Sequence, residues 1–332
     1  MGRQRGVQNP KIIAGLSCHP AITKACHYFG IELVKVALNE SLRLTPAAVA
    51  PLIDSSTVAI YASAPSFAHG VVDEIEALGE LAQKHGVGLH VDNCLGGFLL
   101  SYLAKEGIYC KPWDFAVPGV TSISVDVHKY GFASKGASVV AFRSPELRRV
   151  TYVPSSDGNE GLYVTPTLQG SRSGGTIAVA WATVLHVGEK GYRESARAIH
   201  GSAQAIKAAV TGIQQLRLCT DSDLACVPLC GVGAFDVYAL ATLMGQKGWG
   251  VFTGQKPKTM TIPVGEQTPA VLEELLADLR SCVAYLVEHP ETKPSGNAAI
   301  YGAAANMPDE MLDALLRGYV DILMKVKPAA RL

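Results

Sequence analysis

An excess of either charge is missing from this sequence. Its 332 residues hold 29 Lys and Arg against 29 Asp and Glu, a formal net charge of zero. That balance gives no electrostatic footprint for nucleic acid or for an anionic membrane. Long apolar runs are missing too. No segment approaches the roughly 20 apolar residues of a spanning helix. The opening MGRQRGVQNPKII lacks the apolar centre of a signal peptide, so the chain as given reads as soluble. Metal-ligand spacing is also scarce. The eight cysteines, at 18, 26, 94, 110, 219, 226, 230 and 282, include no CxxC pair. Cys226 and Cys230 have no histidine cluster beside them, so no metal site is expected. The cysteines read instead as small core hydrophobes in a reducing compartment. Charged residues make up only 17% against 48% hydrophobic, which excludes disorder and permits a large core. The length predicts about two domains.

What is present is an alternation of short apolar runs with segments of helical period. ELVKVAL (32–38), TVAIYA (57–62), VGLHV (87–91), SISVDV (122–127) and ASVVAF (137–142) suit buried strands. Between two of them, Val72, Ile75, Leu78, Leu81 and Ala82 fall near helical spacing in a run that stops at Gly86. Strand, helix, strand at this rhythm predicts an α/β fold with a mostly parallel sheet. Residues 176 to about 210 read as one long helix, bent at Gly188 and Gly191. Beyond it the pattern predicts a strand at CVPLC, a helix over 235–247, a strand at 260–264, and helices over 269–288 and 308–324. We place the division between a large α/β domain, 1–205, and a small α+β domain, 206–332.

The stretch SVDVHKYG (124–131) sets Lys129 just past an apolar strand. In open α/β sheets, ligands bind beyond the carboxyl ends of strands. Asp92 closes the run VGLHVD and is followed by NCLGG, whose glycines are expected to let a ligand come close. An amine that condenses with an aldehyde, together with a strand-end carboxylate that pairs with a ring cation, is what pyridoxal phosphate requires. The same residues also fit a loop cation at Lys129 and a helix cap at Asp92.

HVDNCLGGF (90–98), GVTSISVDVHKYGFASKG (119–136), GSRSGG (170–175), FDVYALATLMGQKGW (235–249) and NAAIYG (297–302) together resemble the sphingosine-1-phosphate lyases, in order and with compatible spacing. That family belongs to the pyridoxal-phosphate group that includes the amino-acid decarboxylases. The resemblance implies the three-layer transferase-like fold of these enzymes (fold type I), with pyridoxal 5'-phosphate as cofactor. It implies a carbon–carbon lyase that cleaves phosphorylated long-chain sphingoid bases to a long-chain aldehyde and phosphoethanolamine. By resemblance, Lys129 holds the cofactor, Asp92 partners its ring nitrogen and His19 stacks on its ring. His128 is implied at the cofactor phosphate or in proton transfer, and Lys135 at the substrate phosphate. Gly170 and Ser171 are implied at the cofactor phosphate of a neighbouring subunit, hence a homodimer. The endoplasmic reticulum membrane is the location the resemblance implies.

Departures from the pattern shape two alternatives. No G-T-E-S-like run precedes His19, so we expect an N-terminally truncated chain with weakened hold on the cofactor phosphate. Ser173 stands where the family has proline, and Pro20 follows His19. The alternatives are an amino-acid decarboxylase using the same Lys129 and Asp92, and a catalytically silent fragment.

Overall fold

The computed structural model describes residue 2 and residues 6–159, 161–304 and 307–325. The first half runs β1 (Lys11–Gly15), α1 (Pro20–Phe29), β2 (Glu32–Val36), α2 (Pro46–Val49), β3 (Thr57–Ser63), α3 (Ile75–His85), β4 (Gly88–Asp92), α4 (Gly96–Lys105), β5 (Val120–Asp126) and β6 (Ser138–Phe142). These strands form a six-stranded sheet in the order β2-β1-β3-β4-β5-β6. All pairings are parallel except β5 with β6. The apolar runs recognised in the sequence, ASVVAF excepted, therefore pair as crossover-connected strands, as short buried runs separated by helices must. The run KIIAG escaped recognition, being five residues long and opening on a lysine.

Next come α5 (Pro145–Arg149), a two-stranded hairpin of β7 (Val153–Ser155) and β8 (Tyr163–Thr165), and α6 (Gly174–Thr211). Gly188 breaks α6 with φ 61° and ψ 174°, one of the two bends expected. The expected division at 205/206 falls in its last turns. The second half holds β9 (Leu216–Leu218), β10 (Cys226–Gly231), α7 (Val237–Gln246), β11 (Phe252–Gln255), β12 (Lys258–Pro263), α8 (Thr268–Glu288), α9 (Gly296–Ala304) and α10 (Asp309–Met324). Its four strands make an antiparallel sheet, β11-β12-β10-β9.

The two sheets share one apolar core. Ile13, Ile60, Leu89 and Leu100 from the first half belong to the same buried cluster as Ile206, Leu229, Leu240 and Leu279 from the second. Truncating any of these to alanine would cost about 2–5 kcal/mol. Polar ties add direction to this packing. Arg43 meets Asp223 at 2.6 Å, and the same carboxylate accepts from the Val72 N–H at 2.8 Å. Tyr130 Oη donates to the Val264 carbonyl at 2.8 Å. These contacts seat the second sheet against the loop after β3 and the loop after β5, so the carboxyl ends of the parallel strands face a cleft rather than open solvent.

Candidate active site

β4 ends on Asp92 and β5 ends on Asp126, side by side in a parallel pair with Asp92 opposite Ser124. Lys129 follows three residues after Asp126, in the turn that leaves the sheet. That turn is fixed from several directions. The His128 N–H donates to Ala137 O, and Ala133 N–H to Val127 O. Tyr192 Oη, on α6, donates to Gly131 O at 2.8 Å, and the Tyr192 ring stacks against Phe132 and Tyr102.

Asp92 is only 5% exposed. Its Oδ2 accepts from Tyr61 Oη at 2.6 Å. Its Oδ1 accepts from the Cys94 N–H at 3.0 Å and from Ser124 Oγ at 3.2 Å. Burial pushes this carboxyl up, but the bonds from Tyr61 and Cys94 outweigh burial and hold it below the ordinary carboxylate value. It is an anion at neutral pH. The backbone N–H it accepts belongs to the turn into α4 and not to the helix cap, which is Leu95.

The glycines after Asp92 serve packing, not the ligand approach expected from the sequence. A Cβ on Gly96 would lie 2.0 Å from Ala64 O, and one on Gly97 2.5 Å from Val125 Cγ1. They let α4 lie directly on β3 and β5, which holds the end of β4 in place.

Lys129 Nζ lies 3.0 Å from Asp126 Oδ2, with side chains 26% and 16% exposed. Burial pulls the Lys129 ammonium down, yet Cys94 and Asp126 together raise it above the ordinary lysine value. The Cys94 thiol is itself pushed up to about 12, first by burial and then by Asp92, so at neutral pH it carries no charge. Asp126 is therefore the group that holds Lys129 charged. Lys129 rests as an ammonium paired with an acid to which our sequence reading gave no role. The signal was present, since Asp126 and Lys129 are an i,i+3 pair in the motif itself.

Cys94 links the two halves of the site. The Asp92 carboxylate raises its thiol and the Lys129 ammonium lowers it, so both groups act on it. Lys129, but not Asp92, lines a cavity of about 540 Å³. His19, His128, Lys129 and Lys135 line its polar part; Phe67, Leu95, Phe132 and Phe252 line its apolar part. His19 caps α1, its Nδ1 accepting from Ala21 N–H at 3.1 Å, and its ring meets Phe67 edge-on at 5.3 Å. Pro20 sits in the first turn of that helix, where a missing N–H costs nothing. His128 donates from Nδ1 to Ala137 O at 2.8 Å, which turns Nε2 toward Asp126 Oδ2 at 3.6 Å.

Gly170 and Ser171 stand apart. They lie on an exposed loop between β8 and α6 and do not line this cavity. Glu266, Gly265 and Phe252 do line it, and they come from the second half of the chain. Nothing in their local sequence marks them, because only the packing of the second sheet brings them there. Among the described residues there is no group of three or more His, Cys, Asp or Glu side chains that could hold a metal ion.

The donor set fits pyridoxal phosphate. A buried carboxylate held ionised suits a ring N–H⁺, and the amine of Lys129, which lines the cavity, suits an aldehyde. Asn93, between these two features in the chain, is fully buried with neither amide atom partnered. Such groups are costly unless something meets them.

The chain is similar to proteins of known family and structure. A family model described as the pyridoxal-dependent decarboxylase conserved domain matches residues 4–230. The chain is 39% identical over 322 residues to the sphingosine-1-phosphate lyase of Arabidopsis thaliana, covering 97% of this chain and 59% of that protein. It is 36% identical over 332 residues to sphingosine-1-phosphate lyase 1 of Rattus norvegicus, covering 58% of that protein. The chain thus spans a little under three fifths of the length of these curated relatives. The solved structure of the Burkholderia pseudomallei sphingosine-1-phosphate lyase superposes with a TM-score of 0.86 at 34% identity, over 98% of this chain and 70% of that one. The glutamate decarboxylase of Lactobacillus brevis, at TM-score 0.74 and 21% identity, shares the fold.

Proposed function

The chain belongs to the pyridoxal-dependent decarboxylase family, and within it to the sphingosine-1-phosphate lyases; from that premise we propose that it is a pyridoxal-phosphate-dependent lyase of phosphorylated long-chain sphingoid bases, yielding a long-chain aldehyde and phosphoethanolamine. The observation that carries the reading is Lys129, paired with Asp126 at 3.0 Å, in a cavity that Lys135 and the rings of Phe67, Phe132 and Phe252 also line.

When bound, pyridoxal phosphate supplies an electron sink for the pair released as a bond at the amino-bearing carbon breaks. The chain's own groups do the rest. Asp92 would pair with the ring nitrogen, and Lys129 would hold the aldehyde carbon. His19 would lie against the ring. Lys129 must give up a proton to become a nucleophile, and Asp126 Oδ2, at 3.0 Å, is placed to take it. His128 Nε2, beside the same oxygen, can receive that proton in turn. Lys135 attracts the substrate phosphate. The phenylalanine wall takes the hydrocarbon chain and keeps water from the reacting bond.

The homodimer belongs to the same proposal. Ile177, Trp181 and Leu185 form an exposed apolar stripe at four-residue spacing near the start of α6. The loop with Gly170 and Ser171 ends just before it, where residues serving a neighbouring subunit would stand. The endoplasmic reticulum location rests on the resemblance alone; among the described residues no helix is long and apolar enough to cross a membrane.

The test is turnover. Protein loaded with pyridoxal phosphate should release phosphoethanolamine from a phosphorylated long-chain base. Lys135→Ala should raise KM for that substrate about tenfold or more while leaving cofactor binding intact. Release of carbon dioxide from amino acids, with no cleavage of the phosphorylated base, would replace the lyase with a decarboxylase.

A further inference from the structure

Asp92 does not stand alone at the end of β4. Tyr61, on β3, is the direct cross-strand partner of His90 and stacks on its ring at 5.2 Å. His90 and Asp92 are two apart on one strand and so share a face of the sheet. Ser122 and Ser124 continue that face on β5. His90 Nδ1 is 2.8 Å from Ser122 Oγ, and His90 Nε2 is 3.2 Å from Ser124 Oγ. Ser124 Oγ in turn donates to Asp92 Oδ1. One proton arrangement satisfies every member: Ser122 donates to His90, His90 donates to Ser124, and Ser124 donates to Asp92. Tyr61 Oη reaches the other carboxylate oxygen directly.

A carboxylate offers about four lone-pair positions. Here Tyr61, Ser124 and the Cys94 N–H occupy three of them with strong donors. The Tyr61 bond, at 2.6 Å, is the shortest of the three strong ones and has an anion as acceptor, the kind of hydrogen bond that carries most energy.

We infer that Tyr61 is a positioning residue for the cofactor: its hydroxyl fixes Asp92 in the ionised form and in the orientation that a protonated pyridine nitrogen needs. The inference rests on the reading of Asp92 as the ring-nitrogen partner. It adds a residue that the strand pattern alone shows only as one more half-buried tyrosine. His90, Cys94, Cys18 and, through Cys94, Lys129 are the other titratable groups that act on or feel this carboxylate. His90 is kept below its ordinary value by burial, so it is neutral at pH 7 and does not compete as a cation.

The test uses Tyr61→Phe, which keeps the ring and its stack on His90. Protein labelled with ¹³C at the aspartate carboxyls is titrated by NMR, with Asp92→Asn to assign the signal. Affinity for pyridoxal phosphate is measured on the same samples. Tyr61→Phe should raise the Asp92 midpoint by about one pH unit, a tenfold gain in proton affinity, and weaken cofactor binding several-fold. Ser124→Ala should move the midpoint in the same direction by less. If the wild type loads and the midpoint stays put in Tyr61→Phe, Tyr61 has only a packing role, whatever happens to affinity, and the inference is overturned. If the wild type takes up no pyridoxal phosphate, the cofactor reading falls first and the role assigned to Tyr61 falls with it.

Discussion

Replacing Asp126 with asparagine removes the charge that holds Lys129 as an ammonium and keeps nearly the same shape. The two charged atoms are 3.0 Å apart and neither side chain is more than 26% exposed. At an effective dielectric of about 20, unit charges at such a distance attract by about 5 kcal/mol. Residual solvent contact screens part of this, and burial pulls Lys129 the other way. The net effect of one close opposite charge is typically about 1–3 pH units. Lys129 titrates above its ordinary value in the folded protein. The stabilisation from this pair is therefore complete below about pH 10.4, the unfolded value, and is lost as pH rises through the higher folded one. In Asp126→Asn the folded value drops, and the neutral amine becomes about 10–1000 times more abundant near pH 8. The assay is the initial rate of pyridoxal phosphate uptake, followed by its visible absorbance from pH 6 to 11. The acid limb of that profile should move down by about 1–3 units. A limb that stays where it is in the wild type would refute the claim that Asp126 sets the charge of Lys129.

Two further outcomes follow from packing around the site. Gly96→Ala must move Ala64 O or α4, since the new methyl carbon would lie 2.0 Å from that oxygen; a urea midpoint should show a loss of about 1–3 kcal/mol, together with weaker cofactor uptake. Asp73 accepts the N–H groups of Leu44 and Ser63 on separate oxygens, each at 2.7 Å. Asp73→Asn turns one acceptor into a donor facing a buried N–H, and should cost about 1–3 kcal/mol by the same measurement; an unchanged midpoint would mean that the loop after β3 relaxes around it.

The sequence disclosed the parts of this molecule that are local. Runs such as TVAIYA and SISVDV announce strands because their apolar residues are continuous over a strand's length. Gly188 announces the bend in α6 because few other residues tolerate its backbone angles. Asp92 and Lys129 were legible because each sits at a strand's carboxyl end in a motif. What stayed hidden depends on neighbours distant in the chain. Tyr61 is 31 residues from Asp92, and its hydroxyl has meaning only once β3 and β4 are in register. Cys94 read as an inert core thiol, but in the folded chain both Asp92 and Lys129 act on its charge. Glu266 and Phe252 reach the cavity only through the second sheet. The glycines at 96 and 97 were correctly seen as sites of close approach, but what approaches is α4 against β3 and β5.

The central claim is that Lys129 is the amine that takes up the cofactor. The most direct measurement is the visible-edge absorbance of the purified chain after addition of pyridoxal phosphate and removal of the excess, for wild type and Lys129→Ala, with folding checked by circular dichroism. The account predicts a protein-bound band in the wild type and none in the folded variant. A band of equal strength in Lys129→Ala, or no band in the wild type, would contradict it.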